Sequence, residues 1–196
     1  MKNINQKKLN IFISLTAIMI LMEFTGTGLL KTQNFEIAIY LIPVIIGAIT
    51  LGKNAGLFLG GVFGLLSFYE CFGKSVFGVT LLQINPVLTF LTCIIPRITC
   101  GWLAGFAFNK MLKIDKTKFL SFCGAGLVCT LTNTVLFTSA IMLFFGHTDF
   151  ILNIKETLVG ADANILSFLI AFAGKNVLIE AGICSISGAV ISKIPL

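Results

Sequence analysis

The chain has 196 residues, of which 57% are hydrophobic and 11% are charged, and its mean hydropathy is +1.01. This composition is too apolar for an ordinary soluble domain and predicts one integral membrane domain spanning residues 1–196. The net charge of +6 could suggest nucleic-acid binding, but the lysines are spread over the ends and short loops. No basic face is evident, so we expect no nucleic-acid partner.

Six apolar stretches follow one another along the chain, and each crossing of a bilayer needs about 20 residues. They predict transmembrane helices at 9–24, 36–50, 55–69, 87–108, 119–145 and 163–191. The predicted fold class is therefore an all-α membrane protein with six spans. Residues 70–85 and 146–162 are expected to be loops. The first apolar stretch lacks an A-x-A-like cleavage site, so no signal peptide is expected.

The lysines predict the orientation of these helices. If both termini are cytoplasmic, the inner segments hold nine lysines and the outer segments hold three. This asymmetry follows the positive-inside rule. We therefore expect a multi-pass protein of the cell membrane with both termini inside.

The third predicted helix carries Gly56, Gly60 and Gly64 at four-residue spacing, and Gly101 and Gly105 repeat the pattern in the fourth. Small residues at this spacing let two helix backbones approach closely in a membrane. Two interpretations remain open at this stage. The glycines could pack the bundle internally, or they could form a docking surface for a partner.

The sequence contains six cysteines but neither a CxxC pair nor a Cys/His metal spacing, and His147 is the only histidine. Five of the cysteines lie in apolar runs, where small polarizable side chains pack well. No P-loop, H-E-x-x-H, G-x-S-x-G or paired-acid motif is present. We therefore expect no metal, no cofactor and no enzyme activity.

The 22-residue stretch from Val87 to Phe108 is largely apolar and contains a single charge, Arg97. Placing a guanidinium at mid-bilayer costs at least ~2.5–3.5 kcal/mol, so such a residue usually faces a cavity or a partner. Pro96 precedes it and removes one backbone donor, which leaves a carbonyl near position 92 for some polar group to satisfy. We predict that Arg97 receives an anionic substrate.

Four other polar residues, Asn133, Lys175, Asn176 and Glu180, lie inside predicted helices, and we predict that they contact the substrate together with Arg97. Asn176 and Glu180 share one helical face. An alternative is that Arg97 pairs with Glu180 only to neutralise both charges. One acid cannot neutralise both Arg97 and Lys175, however, and the residual positive charge would attract an anion. Asn133 has its own alternative, an interhelical hydrogen bond.

Four segments resemble the substrate-binding (S) component of energy-coupling-factor (ECF) vitamin transporters, and most closely the pantothenate-type branch. They are Ile39–Phe68 (IYLIPVIIGAITLGKNAGLFLGGVFGLLSF), Ile94–Phe108 (IIPRITCGWLAGFAF), Leu127–Phe137 (LVCTLTNTVLF) with Phe144–Gly146, and Gly174–Ala181 (GKNVLIEA). The resemblance implies a six-helix bundle that captures a vitamin at the outer side under a lid of loops. It also implies docking on a membrane coupling subunit driven by two cytoplasmic ATPases.

Docking in this family uses an Ala-x-x-x-Ala face on the first helix. The matching region here keeps only Ala17 of that pair, and Ser14, Ala17 and the helix-3 glycines are the expected docking residues. The preferred function is capture of a small carboxylate vitamin, most closely pantothenate. The alternatives are an S component for another vitamin (riboflavin, folate, cobalamin or other), a self-sufficient secondary transporter, a membrane-embedded enzyme, or a structural protein.

Overall fold

The computed structural model describes residues 2–32, 35–115 and 119–160, together with 164, 167–168, 170–171, 174, 179–180 and 182–184. These residues are mostly helical. The helices are α1 Lys2–Thr25, α2 Leu41–Thr50, α3 Lys53–Glu70, α4 Val76–Ile84, α5 Pro86–Met111, α6 Phe119–Phe145 and α7 Asp149–Val159. An antiparallel hairpin of β1 Leu29–Thr32 and β2 Phe35–Ala38 connects α1 to α2. The predicted helix 163–191 falls largely outside the described residues, although ten of those described within it are helical.

Three of the described helices are long and apolar enough to cross a membrane: Gln6–Thr25, Pro86–Met111 and Phe119–Phe145. Helix α2 is also apolar but has only ten residues. A helical membrane protein is therefore confirmed. The count of six spans and the orientation of the termini stay predictions.

The bounds of two predicted helices agree closely with the structure. The predicted helix 119–145 is α6 itself, and the predicted helix 87–108 extends to Pro86–Met111 as α5. At the start of α5, the Asn85 side chain accepts hydrogen bonds from the backbone N–H groups of Val87 and Leu88, both at 3.1 Å. Pro86 follows as the first helical residue, where a missing N–H has no cost.

The predicted helix 36–50 begins too early. Residues 35–38 form β2, which pairs with β1 in the register Leu29–Ala38 and Thr32–Phe35, and α2 begins only at Leu41. The aromatic and β-branched residues Phe35 and Ile37 favour a strand when a neighbouring strand is available to pair. An apolar run alone could not reveal that pairing.

Both segments predicted as outer loops contain a short helix. Helix α4 lies within the predicted loop 70–85, and its N-cap Ser75 accepts a hydrogen bond from the backbone N–H of Gly78 at 3.2 Å. Helix α7 lies within the predicted loop 146–162 and begins with Asp149, where an acidic side chain is favourable for the helix dipole. These helices, of nine and eleven residues, are too short to span a bilayer. Apolar stretches of membrane-spanning length therefore do not indicate them.

Helices α3 and α5 pack with their backbones in direct contact. A Cβ atom added to Gly56 would lie 2.3 Å from the carbonyl oxygen of Gly101, and one added to Gly60 would lie 2.2 Å from that of Arg97. At Gly64 the nearest atom would be the Cys93 carbonyl oxygen at 3.0 Å. The internal-packing interpretation is therefore confirmed. All three glycines are buried against α5, so their packing here is internal, and their predicted role in docking stays a prediction.

The hairpin, α4 and α7 gather at one end of the bundle, which we call the hairpin end. There α1, α3 and α6 finish, and α2 and α5 begin. A cluster of buried side chains joins the short helices to α6 at this end: Leu81, Ile141, Phe145, Ile151 and Phe168. The main core lies deeper, between α2, α3, α5 and α6, and includes Val44, Leu59, Phe63, Ala104 and Phe122. Arg97 lies on α5, near the middle of its length.

Candidate functional site

Arg97 is buried, with only 6% of its surface exposed, and its Nη1 donates a hydrogen bond to the Thr92 carbonyl oxygen at 3.0 Å. In an unbroken helix that oxygen would accept from the N–H of residue 96, which Pro96 lacks. The arginine therefore satisfies the carbonyl that the proline leaves without its helical donor. The expectation that a polar group meets this carbonyl is confirmed.

Two aromatic rings from neighbouring helices flank the guanidinium. Its central carbon lies 4.1 Å from the ring centroid of Phe137 on α6 and 5.4 Å from that of Phe63 on α3. A cation near a ring face is attracted by the ring quadrupole, and more strongly when both are desolvated. These contacts hold the charge between three helices without neutralising it.

The Arg97 guanidinium still has unused hydrogen-bonding capacity. Its Nε is buried and has no hydrogen-bond partner within the described part of the chain. No carboxylate in that part lies within the 4.0 Å that defines an ion pair with Arg97. A buried donor and a buried charge left in this way are costly, so the site is suited to a ligand that supplies an acceptor and a negative charge.

Glu180 is buried, with 5% exposure, and is close enough to Arg97 for the two charges to interact electrostatically. Its Oε1, however, accepts a hydrogen bond from the backbone N–H of Ala38 in the hairpin, at 2.8 Å. The alternative of a direct Arg97–Glu180 ion pair is therefore not what the described residues form. Glu180 instead links the hairpin to the C-terminal part of the chain.

Asn133 lies on α6, one helical turn before Phe137 and on the same face. Its side chain is 6% exposed, and its Oδ1 is buried with no hydrogen-bond partner among the residues that the structure describes. The interhelical hydrogen bond considered from the sequence is thus not formed by that oxygen. Phe137 contacts Arg97, so the face of α6 that carries Asn133 is the face that packs against Arg97.

Lys175 and Asn176, the other two predicted site residues, lie outside the described residues. Their predicted contacts with a substrate stay predictions. Of the predicted docking residues, Ser14 and Ala17 are exposed on α1.

Sequence reasoning missed a polar cluster at the hairpin end. Glu23, near the end of α1, is 5% exposed and accepts a hydrogen bond from the Tyr40 hydroxyl at 2.6 Å. It also forms an ion pair of 2.5 Å with Lys74, in the segment between α3 and α4. The hydrogen bond to Glu23 raises the pKa of Lys74. The available signal was an acid inside an apolar helix.

The Glu23 cluster fixes the hairpin relative to the helices below it. Tyr40 follows directly after the hairpin segment, and its ring lies 5.3 Å from that of Phe63, which in turn flanks Arg97. The β2 end of the hairpin is therefore attached to the rest of the chain by the Tyr40–Glu23 hydrogen bond and by the hydrogen bond from Ala38 to Glu180, and Glu23 is in turn paired with Lys74. Through Phe63, this attachment is connected to the surroundings of Arg97.

The chemistry of the site is that of binding. Within the described ranges, no three His, Cys, Asp or Glu side chains are grouped to hold a metal ion. All six cysteines are among the described residues and none is in a disulfide, and five of them are buried. The site offers a cationic donor, a neutral acceptor and aromatic walls, which suit a small ligand that carries both a carboxylate and a hydrogen-bond donor.

A family model described as "ECF transporter, substrate-specific component" matches residues 5–192. The chain belongs to this family. As an ECF S component it is a transport protein and a multi-pass protein of the cell membrane, as predicted, and its apolar helices agree. The match includes Arg97, Asn133 and Glu180.

Two curated relatives carry more specific names. The S component is 34% identical over 146 residues to "Pantothenic acid transporter PanT" of Lactococcus lactis subsp. cremoris, with 67% of this chain and 70% of the relative covered. It is 33% identical over 141 residues to "Pantothenate transporter PanT" of Leuconostoc mesenteroides, with 70% of this chain and 64% of the relative covered. The chain thus spans slightly less than two thirds of the second relative.

Proposed function

We propose that this S component captures pantothenate and delivers it to an ECF module for import. The observation that carries the proposal is the buried Arg97, whose Nε has no partner in the described part of the chain and whose charge forms no ion pair there. A buried guanidinium with an unsatisfied N–H gains most from a ligand with a carboxylate. The names of the two relatives support the same vitamin.

The other site residues fit the rest of that ligand. Pantothenate carries an amide N–H and hydroxyl groups besides its carboxylate, and any of these could donate to the buried Oδ1 of Asn133. The rings of Phe63 and Phe137 provide apolar walls next to Arg97 for its methyl-bearing carbon chain. Lys175, Asn176 and Glu180 belong to the proposed contact set on the sequence argument.

An S component for a different vitamin is the second candidate. Riboflavin has no anionic group and would leave the Arg97 charge without a counter-ion, and cobalamin carries a phosphodiester instead of the carboxylate that an arginine fork matches. Folate carries carboxylates but also a large ring system, so a folate site would need additional space for that ring system. Pantothenate supplies a carboxylate for Arg97 without a ring system of that size.

In the proposed mechanism the S component binds the vitamin, and a separate complex supplies the energy for import. The proposed partners are a membrane coupling subunit and two cytoplasmic ATPases, as the family resemblance implies. The exposed positions Ser14 and Ala17 support α1 as the docking helix, whereas the burial of the α3 glycines favours internal packing for them. The distribution of lysines supports six spans with both termini cytoplasmic.

Calorimetry on the detergent-purified full chain tests the proposal, with pantothenate titrated in the absence of ATP. We expect tight binding by the wild type. Arg97→Ala should weaken binding at least about 30-fold, or about 2 kcal/mol, because a buried charge contact is lost. The matched control is Lys110→Ala, which removes an exposed cation near the end of the same helix and should change little.

Two results would contradict the proposal in different ways. Unchanged affinity in Arg97→Ala would show that the carboxylate binds elsewhere. Tight binding of another vitamin by a wild type that ignores pantothenate would replace the ligand but keep the family. A thermal-shift screen across water-soluble vitamins reports the second result directly, because a tight ligand raises the melting temperature.

A further inference from the structure

Pro96 has a consequence that reaches beyond the shape of α5. Because it has no N–H, the Thr92 carbonyl lacks its helical donor, and Arg97 Nη1 occupies that place at 3.0 Å. Proline and arginine are adjacent, so the residue that frees the carbonyl stands next to the one that uses it. The guanidinium is thereby held at one nitrogen by its own helix.

The same bond decides which edge of the guanidinium remains for a ligand. Nη1 is engaged with Thr92, and Phe137 lies only 4.1 Å from the central carbon. The buried Nε has no partner within the described residues. The edge formed by Nε and Nη2 can then present two parallel N–H groups, the geometry that matches a carboxylate.

The backbone around this bond cannot shift freely. On α3, Gly60 sits so close that an added Cβ would lie 2.2 Å from the Arg97 carbonyl oxygen. One turn before Arg97, the Cys93 carbonyl oxygen would lie 3.0 Å from a Cβ added to Gly64. The backbone segment that carries Thr92, Pro96 and Arg97 is therefore braced by α3 while the side chain is oriented by the Thr92 carbonyl.

We propose that Pro96 is a positioning residue for the ligand carboxylate: it reserves the Thr92 carbonyl for Arg97 and, together with the Phe137 ring, presents the Nε–Nη2 edge of the guanidinium to the ligand. The proposal rests on the proposed function, since it assumes that the ligand is pantothenate. It makes the proline responsible for selectivity for a carboxylate, and not only for the bend of a helix. An alanine at position 96 would restore the helical donor, and Arg97 would have to share the carbonyl with it.

The test compares two ligands that differ only at the carboxylate. Pantothenate and panthenol, in which a hydroxymethyl group replaces the carboxylate, are titrated calorimetrically into the full-length wild type and Pro96→Ala. The quantity of interest is the ratio of the two dissociation constants. We expect this ratio to fall on the order of tenfold in Pro96→Ala, since one charge-assisted hydrogen bond is worth about that factor.

Two other variants serve as references for this ratio of dissociation constants. Arg97→Ala removes the guanidinium and should bring the ratio close to one. Pro86→Ala is the matched control, because it removes an exposed proline at the first position of the same helix, where no helical carbonyl waits for a donor. Its ratio should equal that of the wild type.

A role of Pro96 in helix shape alone would weaken both ligands equally and leave the ratio unchanged, and that result would overturn the proposal. If Pro96→Ala does not fold, Phe137→Leu gives the same reading, because the ring holds the guanidinium from α6. An unchanged ratio in that variant would refute the proposal as well. A wild type that binds neither ligand would remove the proposed function and this inference together, whereas selective binding that survives Pro96→Ala removes the inference alone.

Discussion

Gly60 and Gly61 are neighbours on α3 with opposite surroundings, and they allow the α3–α5 contact to be tested by one methyl group. In Gly60→Ala the new Cβ would lie 2.2 Å from the Arg97 carbonyl oxygen and 2.9 Å from its carbonyl carbon. In Gly61→Ala it would meet only the Ile98 side chain, at 3.8 Å. The methyl group of Gly60→Ala would therefore clash with the backbone of α5, whereas that of Gly61→Ala would make an ordinary van der Waals contact.

The size of the effect follows from these distances. To bring the Gly60 contact from 2.2 Å to at least 3.0 Å, α3 and α5 must move apart by about 0.8 Å, since no rotamer change can move a carbonyl on the helix backbone. Overpacking of this kind typically costs about 1–3 kcal/mol. Gly61→Ala should be neutral or stabilising by up to about 1 kcal/mol, because alanine is the better helix former.

Thermal unfolding in detergent, followed by tryptophan fluorescence or a dye, measures both variants beside the wild type. We expect a lower melting temperature for Gly60→Ala only. Since the displaced carbonyl belongs to Arg97, the same variant should also weaken pantothenate binding. Equal stability of the two variants, or a loss confined to Gly61→Ala, would show that α3 and α5 do not pack at these glycines.

Two further predictions concern polar contacts at the hairpin end and at the start of α5. Tyr40→Phe removes the hydroxyl that donates to buried Glu23, so the free energy of unfolding should fall by about 1–3 kcal/mol. Denaturant or thermal unfolding measures the change. The control is Tyr69→Phe, which alters an exposed side chain and should have little effect. An equal loss in Tyr69→Phe would contradict this. Asn85→Ala removes the cap of α5 and should cost about 1 kcal/mol, while exposed Asn109→Ala should not; a silent Asn85 variant would show that the cap is dispensable.

The central part of the site could be predicted from the sequence because its signals are local. An arginine inside an apolar span is costly wherever the chain folds, and a proline beside it frees a carbonyl four residues earlier in any helix. Both facts hold before any tertiary contact is known. The structure adds that Arg97 itself answers the Thr92 carbonyl.

Other features depend on partners far apart in the chain, and the sequence could not supply them. The rings of Phe63 and Phe137 reach Arg97 from two other helices, and nothing distinguishes them from the remaining phenylalanines by position alone. The hairpin is hidden in the same way, because Phe35 and Ile37 also suit the start of an apolar helix. The spacing of the α3 glycines predicted a close helix contact, but it could not identify α5 as the helix that they contact.

The hydrogen bond between the Ala38 N–H and Glu180 joins residues that are 142 positions apart in the chain. Because a chain is synthesised from its N-terminus, the ribosome produces the hairpin well before Glu180. The contacts of Tyr40 and Lys74 with Glu23 can form soon after the hairpin has been made, whereas the hydrogen bond from Ala38 must wait for Glu180. The attachment of the hairpin to the bundle is therefore completed late relative to the synthesis of the hairpin itself.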